Sequence, residues 1–236
     1  MSFAEELIDF HSHILPNVDH GSDGLETTEF QLASAKKHGI GKIISTSHFY
    51  PTAHSVEGFV KKRNAAFEYL RNNLTDIPEI RLGAEVLLCD GIDRLPCLDS
   101  LFINGTDTLL LELPFSGFGD NYYRTVKRLS MSGINVVLAH ADRYDPGIID
   151  SLLPIGVKLQ INASSLVGFN RVKKKYLLRW FEDQYVVALG SDIHGKDDRA
   201  YGRLIKAFRS IDLHRDFILA ESSKIWNNSL EFTGNV

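Results

Sequence analysis

Residues 8–21 read IDFHSHILPNVDHG, which sets three histidines, His11, His13 and His20, and two aspartates, Asp9 and Asp19, into fourteen positions behind an apolar lead. The lead, LIDFH (7–11), reads as a short strand. In an extended segment side chains alternate between faces, so the H-x-H spacing puts His11 and His13 on one face at the strand's C-terminal end.

Six more strand candidates follow: KIISTSH (42–48), RLGAEVLL (81–88), TLLLELP (108–114), NVVLAH (135–140), KLQINA (158–163) and VVALGSD (186–192). Helical spacing fills the intervals over Leu25–His38, Ser55–Asn73, Tyr122–Ser132, Gly147–Leu153, Lys173–Glu182 and Ala200–Arg209. Gly39, Gly133 and Gly156 stand just past three of these, where a left-handed cap is usual. The strands are short and apolar on both faces, as parallel strands covered by helices are. Repeated β-α units close into a barrel or form an open doubly wound sheet.

The polar residues decide between the two. His11 and His13 end the first strand and His48 the second; Glu85 lies in the third, Glu112 near the end of the fourth, and His140 ends the fifth. Asn162 is near the end of the sixth, and Asp192 and His194 follow the seventh. Such groups meet at one point only if the strands form a ring, since an open sheet would spread them along an edge. The expectation is therefore one domain over residues 1–236, an α/β fold built as a distorted TIM-like (β/α)7 barrel with a metal site at the C-terminal ends of its strands.

Composition fits a single globular domain: 44% hydrophobic and 24% charged residues in 236, with no repeat or low-complexity run. A net charge of −4 gives no electrostatic reason to expect nucleic acid or an anionic membrane as partner. With neither a signal-peptide pattern nor an apolar run long enough to span a bilayer, a cytoplasmic location and no membrane insertion are the default expectations. Cys89 and Cys97 form no C-x-x-C pattern and read as small hydrophobic residues.

A lone histidine at a strand end is usually a hydrogen-bonded core or surface group, and His38, His54 and His214 are read that way. Several histidines and carboxylates gathered in one mouth are different. They repel when charged and cost desolvation when neutral, and a bound cation removes that cost. Imidazole with carboxylate and no thiolate suits Mn, Zn or Fe.

The blocks DFHSHILPNVDHG, STSHFYP, GAEVLL, LELP, LAHADRYD, LQINASSLVG and GSDIHGKDDR occur in an order and spacing that resembles the polymerase-and-histidinol-phosphatase (PHP) metallo-phosphoesterases. More closely, they resemble the manganese-dependent protein-tyrosine phosphatases of bacterial capsule and exopolysaccharide operons, over residues 7 to about 208. The resemblance implies up to three divalent metals, Mn²⁺ first, with Zn²⁺ or Fe as alternatives. By it, His11, His13, Glu85 and Asp192 hold one metal, and Glu85 bridges to a second that also takes Glu112 and His140. His48 and His194 hold the third with a residue of the loop after His13. In that loop the branch usually reads VDDG, whereas this chain reads VDHG, so His20 is the expected ligand and Asp19 the fallback. Asp23 is expected to serve as a turn or capping residue.

Arg143 and Arg199 match positions where the branch binds phosphate, and a planar guanidinium can grip phosphate oxygens in pairs. Neither cysteine is followed six residues later by Arg, consistent with attack that uses no thiolate. Tyrosinate leaves readily because phenol ionises near pKa ~10, so a separate general acid, for which Asp197 and Asp198 are candidates, is dispensable. Phe49, Tyr50, Phe115 and Tyr144 follow strand ends and either pack beneath loops or stack on a substrate ring. The basic run RVKKKYLLR (171–179) reads as a solvated helix face, with Val172, Tyr176, Leu177 and Trp180 on its apolar side, and ESSKIWNNSLEF (221–232) as a short helix. The resemblance implies a phosphotyrosine-bearing protein substrate, the tail of a bacterial tyrosine kinase. A small phosphomonoester such as histidinol phosphate, and a metal-binding regulatory module without turnover, are the competing readings.

Overall fold

The structure, a computed structural model, describes residues 7–167 and 171–228, with the side chains of 171–174 outside the description. Its strands are β1 Ile8–Ser12, β2 Lys42–Ser45, β3 His48–Phe49, β4 Glu79–Leu82, β5 Glu85–Leu87, β6 Thr108–Glu112, β7 Asn135–Leu138, β8 Lys158–Asn162 and β9 Val186–Gly190. Its α-helices are α1 Leu25–Lys37, α2 Val56–Asn73, α3 Asp120–Met131, α4 Pro146–Leu152, α5 Ala163–Val167, α6 Arg171–Glu182, α7 Ala200–Ser210 and α8 Arg215–Asn227. All strand pairs are parallel, in two sheets ordered β1-β2-β4 and β3-β5-β6-β7-β8-β9.

Among the described residues the seven expected strands become nine, because KIISTSH and RLGAEVLL each break in two. The break is shared: Thr46 N–H donates to Ser12 O at 2.8 Å, Gly83 N–H to Ser45 O at 2.8 Å, and Glu85 N–H to Thr46 O at 3.1 Å. Backbone groups that would have continued one ladder thus bond sideways, and β3 and β5 resume beside each other with His48 opposite Glu85. The assigned ladders do not close into a ring. Between β1 and the end of β9 the backbone is joined by an isolated Ser12–Ile193 bridge, by Asp192 N–H to His11 O at 2.8 Å and by His13 N–H to Ile193 O at 3.3 Å.

Alternation sorts the strand residues onto two faces. Ile43, Leu109, Leu111, Val136, Leu138 and Leu159 face the helices and belong to the large core with Phe59, Val126, Ile149, Trp180 and Leu204. Ile8, Phe10, Ile44, Leu110, Val137 and Val187 face the other way and form a second buried cluster with Ile225 and Trp226 of α8. The C-terminal segment expected as a short helix is therefore a thirteen-residue one as far as Asn227 that plugs this inner cluster, and residues 229–232 of the expected stretch lie outside the described residues.

Helix ends follow local chemistry. The Ser55 hydroxyl accepts from Gly58 N–H at 3.1 Å to start α2, and Asp145 accepts from Gly147 N–H at 2.7 Å to start α4. Gly39, Gly133 and Gly156 do take positive φ, at 78°, 87° and 88°. Asp23 does not cap the α1 backbone: its carboxylate accepts from the Thr27 hydroxyl, and Gly24 holds the capping position. In α6, Leu177 and Trp180 are buried as the spacing requires, Tyr176 is 38% exposed, and Arg179 pairs with Asp150.

Candidate metal centre

The C-terminal ends of the strands bring the chemistry together. Side-chain Glu85 sits at the middle: its Oε2 lies 3.1 Å from His11 Nε2, 3.2 Å from His13 Nε2 and 3.1 Å from His48 Nδ1, and its Oε1 lies 2.6 Å from His140 Nε2. Glu112 reaches His140 at 3.7 Å and His48 at 3.8 Å. Asp192 Oδ1 faces His13 at 3.4 Å, His194 at 3.5 Å and His11 at 3.6 Å. Among the described residues, three sets of ligand atoms fall within 4.8 Å of one another: His11, His13 and Asp192; His48, Glu85 and Glu112; and His13, His48 and His194.

Burial and charge work against each other here. Burial alone would raise Glu85, yet the imidazoles of His11, His13 and His140 hold its carboxyl well below the usual range. Glu112 goes the other way, pushed up to about 7 by burial and by the charge of Glu85. Burial pushes His48 down to about 3, against the pull of Glu85. The buried ring nitrogens His48 Nδ1, His140 Nδ1 and His194 Nε2 have no hydrogen-bond partner; His48 Nδ1 is near Glu85 but out of line with it. Imidazole nitrogens and carboxylate oxygens packed this closely, with buried lone pairs unspent, fit divalent cations.

The loop that opened the sequence reading folds tightly back. A Cβ at Gly21 would lie 2.0 Å from His13 Cβ, so the chain can turn there only as glycine. Asp19 is consumed by the turn: Oδ2 lies 2.8 Å from His13 Nδ1 and accepts His48 N–H at 2.8 Å, while Oδ1 accepts Gly21 N–H at 2.8 Å. Its carboxyl is held far below the usual range, burial being outweighed by these bonds and by His13. His20 is exposed at the rim, its ring stacked 4.8 Å from His48 and 4.7 Å from His194.

A cavity of about 430 Å³ opens above the cluster, lined by His20, His48, Tyr50, Glu112, Phe115, Arg143, Asp192 and His194. Arg143 enters it and pairs with Asp192 Oδ2. Arg199 does not line it: at the start of α7 its side chain is 84% exposed beside Asp198, 3.9 Å away. Asp197 is engaged by Arg203 and by Arg199 N–H. Of the four aromatics, Phe49 packs on Phe59 in the core, Tyr144 donates to Leu113 O at 2.9 Å beneath the rim, and Tyr50 and Phe115 face the cavity. His38 bonds Ser34 O and His214 stacks on Phe181, both away from the cluster, and His54 is exposed.

Sequence reasoning missed Gln160, fully buried between His11 and His140, and Asp9, which accepts from Ser191 N–H at 2.7 Å and Ser191 Oγ at 2.6 Å. A polar residue inside an otherwise apolar strand was the available signal for both, Gln160 at an inward position of β8 and Asp9 between the inward-facing Ile8 and Phe10 of β1. His140 and Asp192 adopt positive φ, 33° and 50°, a strain that nothing in their residue types announces.

A family profile described as Capsular polysaccharide synthesis, CpsB/CapC, matches residues 7–220. The chain belongs to the CpsB/CapC family. Within reach of this CpsB/CapC chain are the tyrosine-protein phosphatase CpsB of Streptococcus pneumoniae, 29% identical over 211 residues, covering 82% of this chain and 85% of the relative. The tyrosine-protein phosphatase YwqE of Bacillus subtilis is 29% identical over 210 residues, covering 83% and 80%. A crystal structure from work on YwqE and CpsB, described as unique metal-dependent tyrosine phosphatases, superposes with a TM-score of 0.76 at 23% identity, covering 94% of this chain and 95% of the other. That likeness establishes the CpsB/CapC chain's α/β architecture of parallel sheets and helices.

Proposed function

We propose that this protein is a divalent-metal-dependent protein-tyrosine phosphatase. The observation that carries the reading is the buried histidine–carboxylate cluster around Glu85 with unspent ring nitrogens, beneath an open mouth that holds Arg143. The names of the curated relatives supply the phosphotyrosine part of the reading.

His11, His13, Glu85, Asp192, Glu112, His140, His48 and His194 would hold the cations, with His20 completing the third site. The commitment of both Asp19 oxygens to the turn supports His20 over Asp19 there. Mn²⁺ is the metal proposed from the PHP resemblance. When bound, such cations polarise phosphate oxygens and make water acidic enough to deliver hydroxide near neutral pH. Arg143, already aimed at Asp192, is placed to bind phosphate oxygens at the mouth and to offset charge as the ester breaks. Arg199 would have to swing inward to join it. Tyr50 and Phe115 form the walls against which a phosphorylated ring can rest.

The mouth is rimmed by exposed groups, His20 and Phe115 among them, which favours a phosphate carried on a protein over a small phosphomonoester. We take the substrate to be the tyrosine-rich tail of a kinase controlling capsule or exopolysaccharide synthesis. We also read the two sheets as one distorted seven-unit barrel of a single PHP-type domain. The β1–β9 hydrogen bonds, the bracing of Ser191 by Asp9 and the sideways bonds at Thr46 and Gly83 support closure. Among the described residues, no helix is long and apolar enough to cross a membrane.

The deciding experiment strips the protein with a chelator and measures phosphate release from a phosphotyrosyl peptide before and after Mn²⁺ is restored. Turnover that returns with the metal is the expected result. No release with Mn²⁺ bound sinks the tyrosine-phosphatase reading and returns the small-phosphomonoester and non-catalytic metal-binding readings.

A further inference from the structure

Gln160 lies in the middle of β8, fully buried, where alternation would place an apolar residue of the inner cluster. Its partners give the amide a fixed polarity. His140 N–H, a group that can only donate, meets Gln160 Oε1 at 2.6 Å. The oxygen is therefore an acceptor, and His11 Nδ1, 3.0 Å from the same atom, must carry its proton to bond there. The Gln160 amide nitrogen then donates to Asn162 Oδ1 at 3.0 Å, which leaves Asn162 Nδ2 to donate to Asp192 Oδ2 at 2.8 Å. One obligate backbone donor orients the whole chain.

Each end of this chain meets a residue of the metal cluster. With its Nδ1 protonated, His11 presents the lone pair of Nε2, the atom that faces His13, Glu85 and Asp192. At the other end, Asn162 and Arg143 take Asp192 Oδ2 and so reserve Oδ1 for the cluster. Between them, Gln160 grips the backbone of His140 where it is held at φ 33°. The site is built around the amide: a Cβ at Gly190 on β9 would lie 2.8 Å from Gln160 Nε2 and 2.5 Å from His11 Cβ, so β9 passes there only as glycine.

We propose that Gln160, through Asn162, is the positioning residue of the metal centre, fixing the His11 tautomer, the His140 backbone and the free oxygen of Asp192 with one amide relay. It rests on the metal-site reading above, and it adds the group that makes three ligands act as one unit. Outer partners of this kind characteristically set metal affinity, because they fix ring orientation and ligand basicity.

The test is Mn²⁺ titration calorimetry on the chelator-stripped full chain and two variants, with the melting temperature of each metal-free protein as a control for folding. Gln160→Met keeps the volume and loses the acceptor; its Mn²⁺ affinity is expected to fall by about 10–100-fold. Gln160→Glu keeps the acceptor for His11 and His140 but loses the amide donor to Asn162, so it is expected to recover part of that loss. A Gln160→Met protein that binds Mn²⁺ like the parent overturns the relay while leaving the metal site standing. A parent chain that binds no divalent metal overturns both readings. Should Gln160→Met fail to fold, nitrogen-detected NMR of the Zn²⁺-loaded parent decides without a variant. A slowly exchanging proton on His11 Nδ1 is expected there, and its absence overturns the proposal.

Discussion

The two ends of the strand interior are built from the same inward face, which His11 joins beside Phe10 through the register shift of β1 between Asp9 and Ser12, and they are put to opposite uses. At the lower end Ile8, Phe10, Leu110, Val137 and Val187 close on Trp226 in an apolar cluster. At the upper end the inward positions are His11, Glu85 and Gln160, equally buried, and three histidine nitrogens there lack partners. Apolar burial stabilises the lower end directly. Burying unpaired polar groups destabilises the upper end until something binds them. Stability and chemistry are thus separated along a single axis a few residues long.

The largest effect that can break this contrast is loss of Glu85. Glu85→Gln keeps the shape but removes the charge shared by His11, His13, His48 and His140. Phosphotyrosyl-peptide turnover at saturating Mn²⁺ should fall by at least ~10³-fold, with kcat more affected than KM. The metal-free variant should melt somewhat lower than its parent, because the depressed Glu85 carboxyl marks an attraction to the buried imidazoles of His11, His13 and His140 that an amide does not replace. A drop larger than that of Trp226→Ala would show that the polar cluster holds the fold after all.

Trp226→Ala probes the other end. The indole is 2% exposed, with Lys42 Nζ 5.5 Å and Arg81 Cζ 5.0 Å from the ring centroid. Emptying the plug should cost about 3–5 kcal/mol in denaturant unfolding. Turnover per folded molecule should be unchanged, since nothing in the plug touches the mouth. Mn²⁺ sharpens the same comparison from the metal side. At roughly 100 times its dissociation constant it should stabilise the parent by about 2.7 kcal/mol. The gain should persist in Trp226→Ala, and chelator titration followed by differential scanning calorimetry measures both.

What was legible in the sequence follows the same division. His11, His13, His48, Glu85, Glu112, His140, Asp192 and His194 were visible because each interrupts or ends an apolar strand, and the structure gathers all of them. Roles that depend on pairing between distant segments were not visible. The break of KIISTSH into β2 and β3 arises from bonds to Ser12 and Glu85, which no local pattern encodes. Asp19 reads as a spare ligand beside His20 until the turn is seen to occupy both its oxygens. Arg199 carries the right chemistry in the right motif, yet the first turn of α7 points it outward. Gln160 was hidden for another reason: an amide inside a strand looks like any other polar interruption until its partners are known.

The smallest effect concerns Phe115, in the segment between β6 and α3, where the architecture tolerates a cost with no structural return. Its ring is 77% exposed at the mouth, 6.3 Å from Tyr144, which in turn lies 5.7 Å from His140. A large apolar side chain left in water beside the cluster gains contact area only when a substrate ring arrives. Edge or offset contact between two aromatic rings is worth about 0.5–1.5 kcal/mol beyond area. Phe115→Ala should therefore raise KM for a phosphotyrosyl peptide by about 2–10-fold while kcat holds. With glycerol phosphate, which has no ring to stack, the change in KM should be smaller. If KM rises equally for both substrates, Phe115 shapes the mouth instead of reading the ring, and the upper end would discriminate its substrate by charge alone.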